Sequence, residues 1–226
     1  MRKDGILGLG HQIWKAMKYA SVRKEYQAFT LLEKDLKASP FDMFEDWFSF
    51  ALETDPENAN AMVLSTLSSE GWPQGRVVLL KGVDSGFVWF SNYQSAKGRD
   101  LDFLPKASLT FWWPAPARQV RIYGNVEKIS EQESVDYFLS RPRGSQAGAL
   151  ASLQSSQIDS REKLVKDYQL FLERPENESF TKPSYWGGYR LMPEYFEFWQ
   201  GRESRLHDRL FYKKEGENWK TGRLSP

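Results

Sequence analysis

Between Ala61 and Ile129 the chain reads as a series of short extended segments punctuated by turns, and no other feature narrows its fold so much. "AMVLSTL" (61–67) reads as a strand, "SSEGWPQG" supplies a turn, and "RVVLLKGV" (76–83) a second strand. "DSG" then turns the chain into "FVWFSN" (87–92). After a short helix over "AKGRDLDFL", the strands "ASLTFWW" and "RQVRIYGNVEKI" flank "PAPA". The pattern resumes toward the C-terminus as "YWGGYRL", "YFEFWQG", "RLHDRLFYK" and "WKTGRL". Short antiparallel strands with helices inserted between them imply a mainly β protein, a closed or nearly closed β-barrel with added helices. Strands and helices do not alternate regularly, so a doubly wound parallel sheet is not expected.

Helix signals stand between the strands. Ser39 is placed to cap a helix whose first residue is Pro40, with Asp42 in the first turn. Phe41, Phe44, Phe48 and Leu52 then repeat at helical spacing and predict a core-facing stripe. Ser130 and Glu133 form a capping box that opens a helix through "SVDYFLS". Further helices are expected over 145–152 and 160–173, followed by the loop "RPENESFTKPS". At the other end, Ile6, Leu7, Ile13, Trp14 and Met17 have the spacing of a short amphipathic helix, and "SVRKEYQAF" (21–29) of another. Residues 1–22 are expected to be a loose arm and 23–226 a single domain.

Composition removes whole classes of chemistry. There is no cysteine, so disulfides, thiolate metal sites and thiol catalysis are out. The two histidines, His11 and His207, make a histidine metal centre improbable, and no metal is expected. A net charge of +1 gives no global field for nucleic acid or an anionic membrane, so any anion site must be local. No apolar run is long enough to span a bilayer, and the N-terminus lacks a signal-peptide pattern. A soluble, cytoplasmic protein is expected. "GILGLG" has the wrong spacing for a dinucleotide-binding loop, and no phosphate-binding P-loop, nucleophile elbow or zinc-protease motif occurs.

Local cation clusters remain. If "SRLHDRL" is extended, Arg205, His207 and Arg209 project from one face, where they repel one another unless an anion lies among them. A solvated basic edge strand is the alternative. In "YFLSRPRGSQ", Tyr137, Arg141 and Ser145 stand four apart, but Pro142 biases Arg141 away from helical geometry. A helix end followed by a fresh helix N-terminus would gather an arginine, hydroxyls and free N–H groups, a setting suited to a phosphate monoester; an ordinary helix corner fits equally well. Arg76 and Lys81 close the ends of an apolar strand and would face opposite ways unless the strand bends or a ligand wraps its edge. Lys97 and Arg99 sit near a helix start. Gln119 and the amides and hydroxyls of "LQSSQ" could bond a heterocycle or merely cap turns.

Taken in order, "RVVLLKG", "FSNYQSAKG", "ARQVRIYG", "YFLSRPRGSQAGALAS", "SYWGGYRL" and "FWQGRESRLHDR" closely resemble the pyridoxine (pyridoxamine) 5′-phosphate oxidase family. The likeness runs from about Arg23 to Pro226. It implies an FMN-binding split barrel that works as a homodimer with flavin sites at the subunit interface. It also implies oxidation of pyridoxamine or pyridoxine 5′-phosphate to pyridoxal 5′-phosphate, with O2 reduced to hydrogen peroxide. By the same resemblance, FMN contacts fall on Arg76, Val77, Val78, Leu79, Leu80 and Lys81, on Phe90, Ser91 and Lys97, and on Gln119, Gln154, Ser155, Trp199 and Arg209. Substrate contacts fall on Lys81, Tyr137, Arg141, Ser145, Arg205, Leu206 and His207, and on the covering segment Arg23, Lys24, Glu25 and Tyr26. Arg205 and His207 are the expected catalytic pair, beside a hydride passing from substrate C4′ to flavin N5.

One departure stands out: where the family often has an arginine before the lysine matching Lys97, this chain has Ala96. A charged hydrogen bond contributes roughly 1.5–3 kcal/mol, so weaker FMN retention is expected unless Arg99 or another group compensates. Two other readings stay open: a split-barrel flavoprotein with a different substrate, and a carrier of FMN or pyridoxal phosphate without turnover.

Overall fold

The structure, a computed structural model, describes residues 19, 21–22, 25–26, 29–175 and 177–226. The helix expected over Ile6–Met17, and Arg23 and Lys24, lie outside the described residues. At the described positions of 21–29 there is no helix. Tyr26 is instead engaged edge-on by Trp112, Trp199 and His207, so ring contacts override local helical spacing.

Nine strands form one sheet: β1 (Ala61–Leu67), β2 (Pro73–Leu79), β3 (Gly82–Val83), β4 (Phe87–Asn92), β5 (Lys106–Trp113), β6 (Arg118–Lys128), β7 (Trp186–Gln200), β8 (Asp208–Glu215) and β9 (Asn218–Arg223). Their order is β2-β1-β5-β6-β7-β4-β3, with β8 and β9 branching from β7. The two ends of that path, β2 and β3, are joined by Leu80 and Lys81 alone, so the sheet has to curl until its edges approach. No ladder joins β2 to β3 or β4 among the paired strands, which leaves the barrel split there. The expected mainly β barrel with added helices is the fold observed.

β7 differs from expectation. "YWGGYRL" and "YFEFWQG" are one 15-residue strand, its first part paired with β4 and its last with β8. Pro193, which has no N–H to donate, is accommodated where the β6–β7 register shifts between Tyr123 and Gly124. Gly124 is required there, since a Cβ would collide with the Met192 carbonyl.

Among the described residues five α-helices complete the fold: α1 (Pro40–Thr54), α2 (Ala96–Phe103), α3 (Glu131–Ser140), α4 (Arg143–Ala151) and α5 (Arg161–Leu172). Ser39 caps α1 by accepting from the Phe41 N–H, and the Ser130–Glu133 capping box opens α3. α1 closes the barrel, but its buried face is Pro40, Met43, Phe44, Trp47 and Ala51; Leu52 is exposed, so the stripe sits rotated from the one expected. Phe44 makes edge contacts with Phe87 and Phe111, and Trp47 with Phe198, so helix and sheet share one aromatic core. A second cluster, around Phe138, Ala147, Phe180 and Trp186, packs α3 and α4 against the start of β7.

The strand expected over "RLHDRLFYK" begins only at Asp208. Glu203–Arg205 form a 3-10 turn in which Ser204 and Arg205 have φ of 52° and 61°. Arg205, His207 and Arg209 therefore do not share a strand face. His207 explains the bend: its Nδ1 accepts the Arg202 backbone N–H at 3.1 Å, which ties the loop back on itself.

Candidate active site

A cavity of about 1060 Å³ opens where β2, β4, α2, α3 and α4 meet. Four cationic side chains line it, Arg76, Lys81, Lys97 and Arg141, and among the described residues no carboxylate does. That imbalance is the site's leading property, because cations taken partly out of water with no carboxylate inside the cavity call for an anion.

Each cation is placed by its local structure. β2 starts earlier than expected and ends at Leu79, so Lys81 lies beyond the strand and shares the cavity with Arg76 despite their odd spacing. Arg76 donates to Thr66 Oγ1 at 2.5 Å and lies 3.6 Å from Asp100. Ser95 caps α2, and Lys97, in its first turn, is buried, donating to Ser91 Oγ (3.1 Å), Ser95 Oγ (3.1 Å) and Gln154 Oε1 (3.2 Å). Burial, then the positive charge of Arg76, push Lys97 down to about 8.

Arg141 caps the C-terminus of α3, and Pro142 precedes the first turn of α4, so the helix-break reading of "SRPRGSQ" describes the observed turn. Its guanidinium lies 4.8 Å over the Trp186 ring, yet Nη1 is buried with no hydrogen-bond partner among the described residues. Such an orphaned donor aimed into a cavity is costly unless a ligand accepts from it. Burial pushes Arg141 down, and Tyr137 opposes this. Tyr137 stacks on Phe90 (3.8 Å) and is near-parallel to Trp186 (6.2 Å), giving the cavity a flat aromatic wall.

Of the residues expected at the site, the cavity gathers Arg76 to Leu79, Lys81, Phe90, Ser91, Lys97, Tyr137, Arg141, Ser145, Gln154 and Ser155. Leu80, just past the end of β2, is the exception; its side chain is buried in the barrel core. Ala96 also lines the cavity, whereas Arg99 is exposed and donates to the Gln94 carbonyl, so it does not take over that position.

The remaining expected residues form a second patch. Gln119, Trp199 and Arg209 are direct neighbours across β6, β7 and β8. His207 packs on Trp199 with ring centroids 4.5 Å apart, and Tyr26 touches both rings. Glu25 accepts from the Ser204 N–H at 3.0 Å, while Arg205 and Leu206 are exposed beside it. None of Gln119, Trp199, His207 and Arg209 lines the cavity, so within one chain the two groups of residues stand apart.

Two acids escaped the sequence reading. Asp100 pairs with Arg76 behind the cavity, and buried Glu197 pairs with Arg209 under the patch. Spacing held the signal: Asp100 is one helical turn from Lys97, and Glu197 lies two residues from Trp199 on the same strand face.

Known proteins place this geometry. Residues 51–176 match the family model described as "Pyridoxamine 5'-phosphate oxidase", and residues 186–226 match the "Pyridoxine 5'-phosphate oxidase C-terminal dimerisation region". The chain belongs to the pyridoxamine 5′-phosphate oxidase family. It is 49% identical over 212 residues to the pyridoxine/pyridoxamine 5′-phosphate oxidase of Bordetella pertussis, covering 93% of this chain and 100% of the relative. With that of Acaryochloris marina it is 46% identical over 208 residues, 92% and 95% of the two chains. Among solved structures, PhzG from Burkholderia lata 383, in complex with tetrahydrophenazine-1-carboxylic acid, superposes with a TM-score of 0.82 at 28% identity, covering 88% of this chain and 99% of that one. A pyridoxamine 5′-phosphate oxidase-related FMN-binding protein from Nostoc punctiforme shares the fold, with a TM-score of 0.70 at 13% identity, covering 84% and 100%. The chain is thus an oxidoreductase of this family, and its β7–β9 patch falls within the region matched to dimerisation. No helix among the described residues is long and apolar enough to cross a membrane.

Proposed function

We propose that the protein is an FMN-dependent oxidase of pyridoxamine 5′-phosphate and pyridoxine 5′-phosphate, working as a homodimer in the cytoplasm and giving pyridoxal 5′-phosphate. The observation that carries this reading is the carboxylate-free cavity with the orphaned Nη1 of Arg141. The cavity suits two phosphorylated flat molecules. Its volume is at the upper end for small-molecule sites, four cations line it, and its wall carries Phe90, Tyr137 and Trp186.

Arg76 and Lys97, with Ser91, Gln154 and Ser155, would hold the FMN phosphate by charge-assisted hydrogen bonds. Tyr137, Arg141, Ser145 and Lys81 would hold the substrate phosphate and fix the pyridine ring. When bound, FMN accepts the two electrons of the oxidation and passes them to O2, yielding hydrogen peroxide. Holding both partners in a reactive arrangement is the protein's main contribution, and such positioning can lower a barrier by several kcal/mol.

The second patch enters from another copy. Between it and the cavity the outer sheet face exposes Val77, Leu79, Val63, Trp112 and Tyr123, an apolar band fit for burial. Two copies packed face to face about a twofold axis would bring each patch over the other's cavity. Arg205 and His207 would then cover the substrate ring, and Trp199, Gln119 and Arg209 would complete the FMN site. Glu25 and Tyr26, held against this patch, travel with it.

The relative with tetrahydrophenazine-1-carboxylic acid bound shows that this fold also takes a different, unphosphorylated ring system. Arg141 argues for the phosphorylated one. Purified protein should be yellow, and pyridoxamine 5′-phosphate added in air should bleach the flavin and generate peroxide and an aldehyde. A yellow protein inert toward both phosphates would overturn the substrate assignment, and a carrier would show binding without peroxide.

A further inference from the structure

Asp100 is buried behind the cavity wall and touches none of the cavity's interior. Its Oδ2 accepts from Thr66 Oγ1 at 2.7 Å, and that same hydroxyl accepts from Arg76 Nη1 at 2.5 Å. The carboxylate also lies 3.6 Å from Arg76 Nη2. Lys97 stands one turn earlier on α2, and among the described residues no carboxylate is in ion-pair contact with it.

Resting on the FMN reading above, we propose that Asp100 is a positioning residue for the phosphate end of the cavity. It acts through Thr66 on the direction of Arg76 and through space on the charge of Lys97. A buried carboxylate beside an anion site is otherwise a liability, since it repels the ligand. Its placement one shell back resolves this. The Thr66–Asp100 pair holds Arg76 in one direction before ligand arrives, which lessens the ordering cost of a long side chain on binding. Asp100 also pulls upward on Lys97 against burial and Arg76, both of which pull it down. Glu or Asp inside the cavity would cancel the charge the phosphate requires; Asp100 supports it from outside.

FMN titrations followed by quenching of flavin fluorescence, repeated across pH, test this without reference to turnover. Wild-type affinity is expected to fall as pH rises past about 8, where unliganded Lys97 loses its proton, and Lys97→Met should abolish that limb. Asp100→Asn should move the limb down by about one pH unit, and Asp100→Glu should restore most of it. Thr66→Val keeps the carboxylate but breaks the bridge, so it should weaken FMN about tenfold at every pH with the limb in place. An unmoved limb in Asp100→Asn, tighter FMN at every pH, or full affinity in Thr66→Val would each overturn the proposal. Wild-type protein that binds no FMN would overturn the underlying reading, and this one with it.

Discussion

Glu197 holds Arg209 from beneath: its Oε1 accepts from the arginine's Nε at 2.9 Å and lies 2.9 Å from Nη2. Its other oxygen accepts from Arg121 at 3.4 Å, and Arg209 Nη1 donates to the Ser225 carbonyl at 2.8 Å. Glu197 is 3% exposed, and among the described residues these two arginines are the cations paired with it. Glu197→Gln removes the charge while keeping the shape. It should lower stability by about 1–3 kcal/mol, the cost of leaving buried charged groups poorly paired, read as a lower urea midpoint with an unchanged slope. An unchanged midpoint would show that the pair contributes nothing to the fold.

Arg141 and Arg205 divide the substrate between them. Arg141→Ala removes a phosphate ligand from the cavity and should raise KM for pyridoxamine 5′-phosphate by about tenfold to a hundredfold, with a smaller change in kcat. Arg205→Ala removes a group lying over the ring and should act chiefly on kcat. Steady-state kinetics on both variants decides the matter; the same KM and kcat changes in both would contradict the division.

Ala96 leaves a gap at the start of α2 that Arg99 does not fill. Ala96→Arg adds a cation to the cavity lining and should tighten FMN about tenfold, measured as slower flavin loss on dialysis. Arg99→Ala should leave FMN affinity alone. Loss of affinity in Ala96→Arg would mean the arginine is turned elsewhere.

His207 is fixed as a donor. Because Nδ1 accepts the Arg202 N–H, the neutral ring carries its proton on Nε2. Burial, then the charge of Arg205, push its pKa below 6.5, with Glu25 opposing. A lowered value keeps the ring neutral down to more acidic pH, so kcat/KM should fall only below about pH 6.5, as protonation sets two donors against each other. His207→Gln retains a donor and should remove that acid limb. An acid limb that persists unchanged in this variant would assign it to another group.

How much was legible beforehand differed by element. Apolar runs bounded by turn residues marked β1, β4 and β6 almost to the residue, and the Ser39 and Ser130 caps placed two helices, because these signals are local. The 203–207 bend was not legible. "SRLHDRL" has strand-like composition, and what breaks it is a hydrogen bond from the Arg202 backbone to the His207 ring. The break expected between "YWGGYRL" and "YFEFWQG" is absent because the bulge that admits Pro193 depends on the facing glycine of β6, which is distant in sequence. The cations of the site were all visible in sequence. Their separation into a cavity and a distant patch was not, since it follows from the order in which strands pair. The acids behind them were missed because many surface acids share the spacing of Asp100 from Lys97 and of Glu197 from Trp199, and burial is what sets these two apart.

The central claim is that one working site takes its cavity from one copy and its covering patch from another. Arg141→Ala and Arg205→Ala chains, carrying different tags and co-expressed, can be isolated as the mixed dimer and assayed for peroxide release with pyridoxamine 5′-phosphate held below the wild-type KM, where both parents are slow. A shared site predicts that one of the two sites in the mixed dimer is intact, restoring about half the wild-type rate from two crippled parents. A mixed dimer no faster than its parents would contradict it.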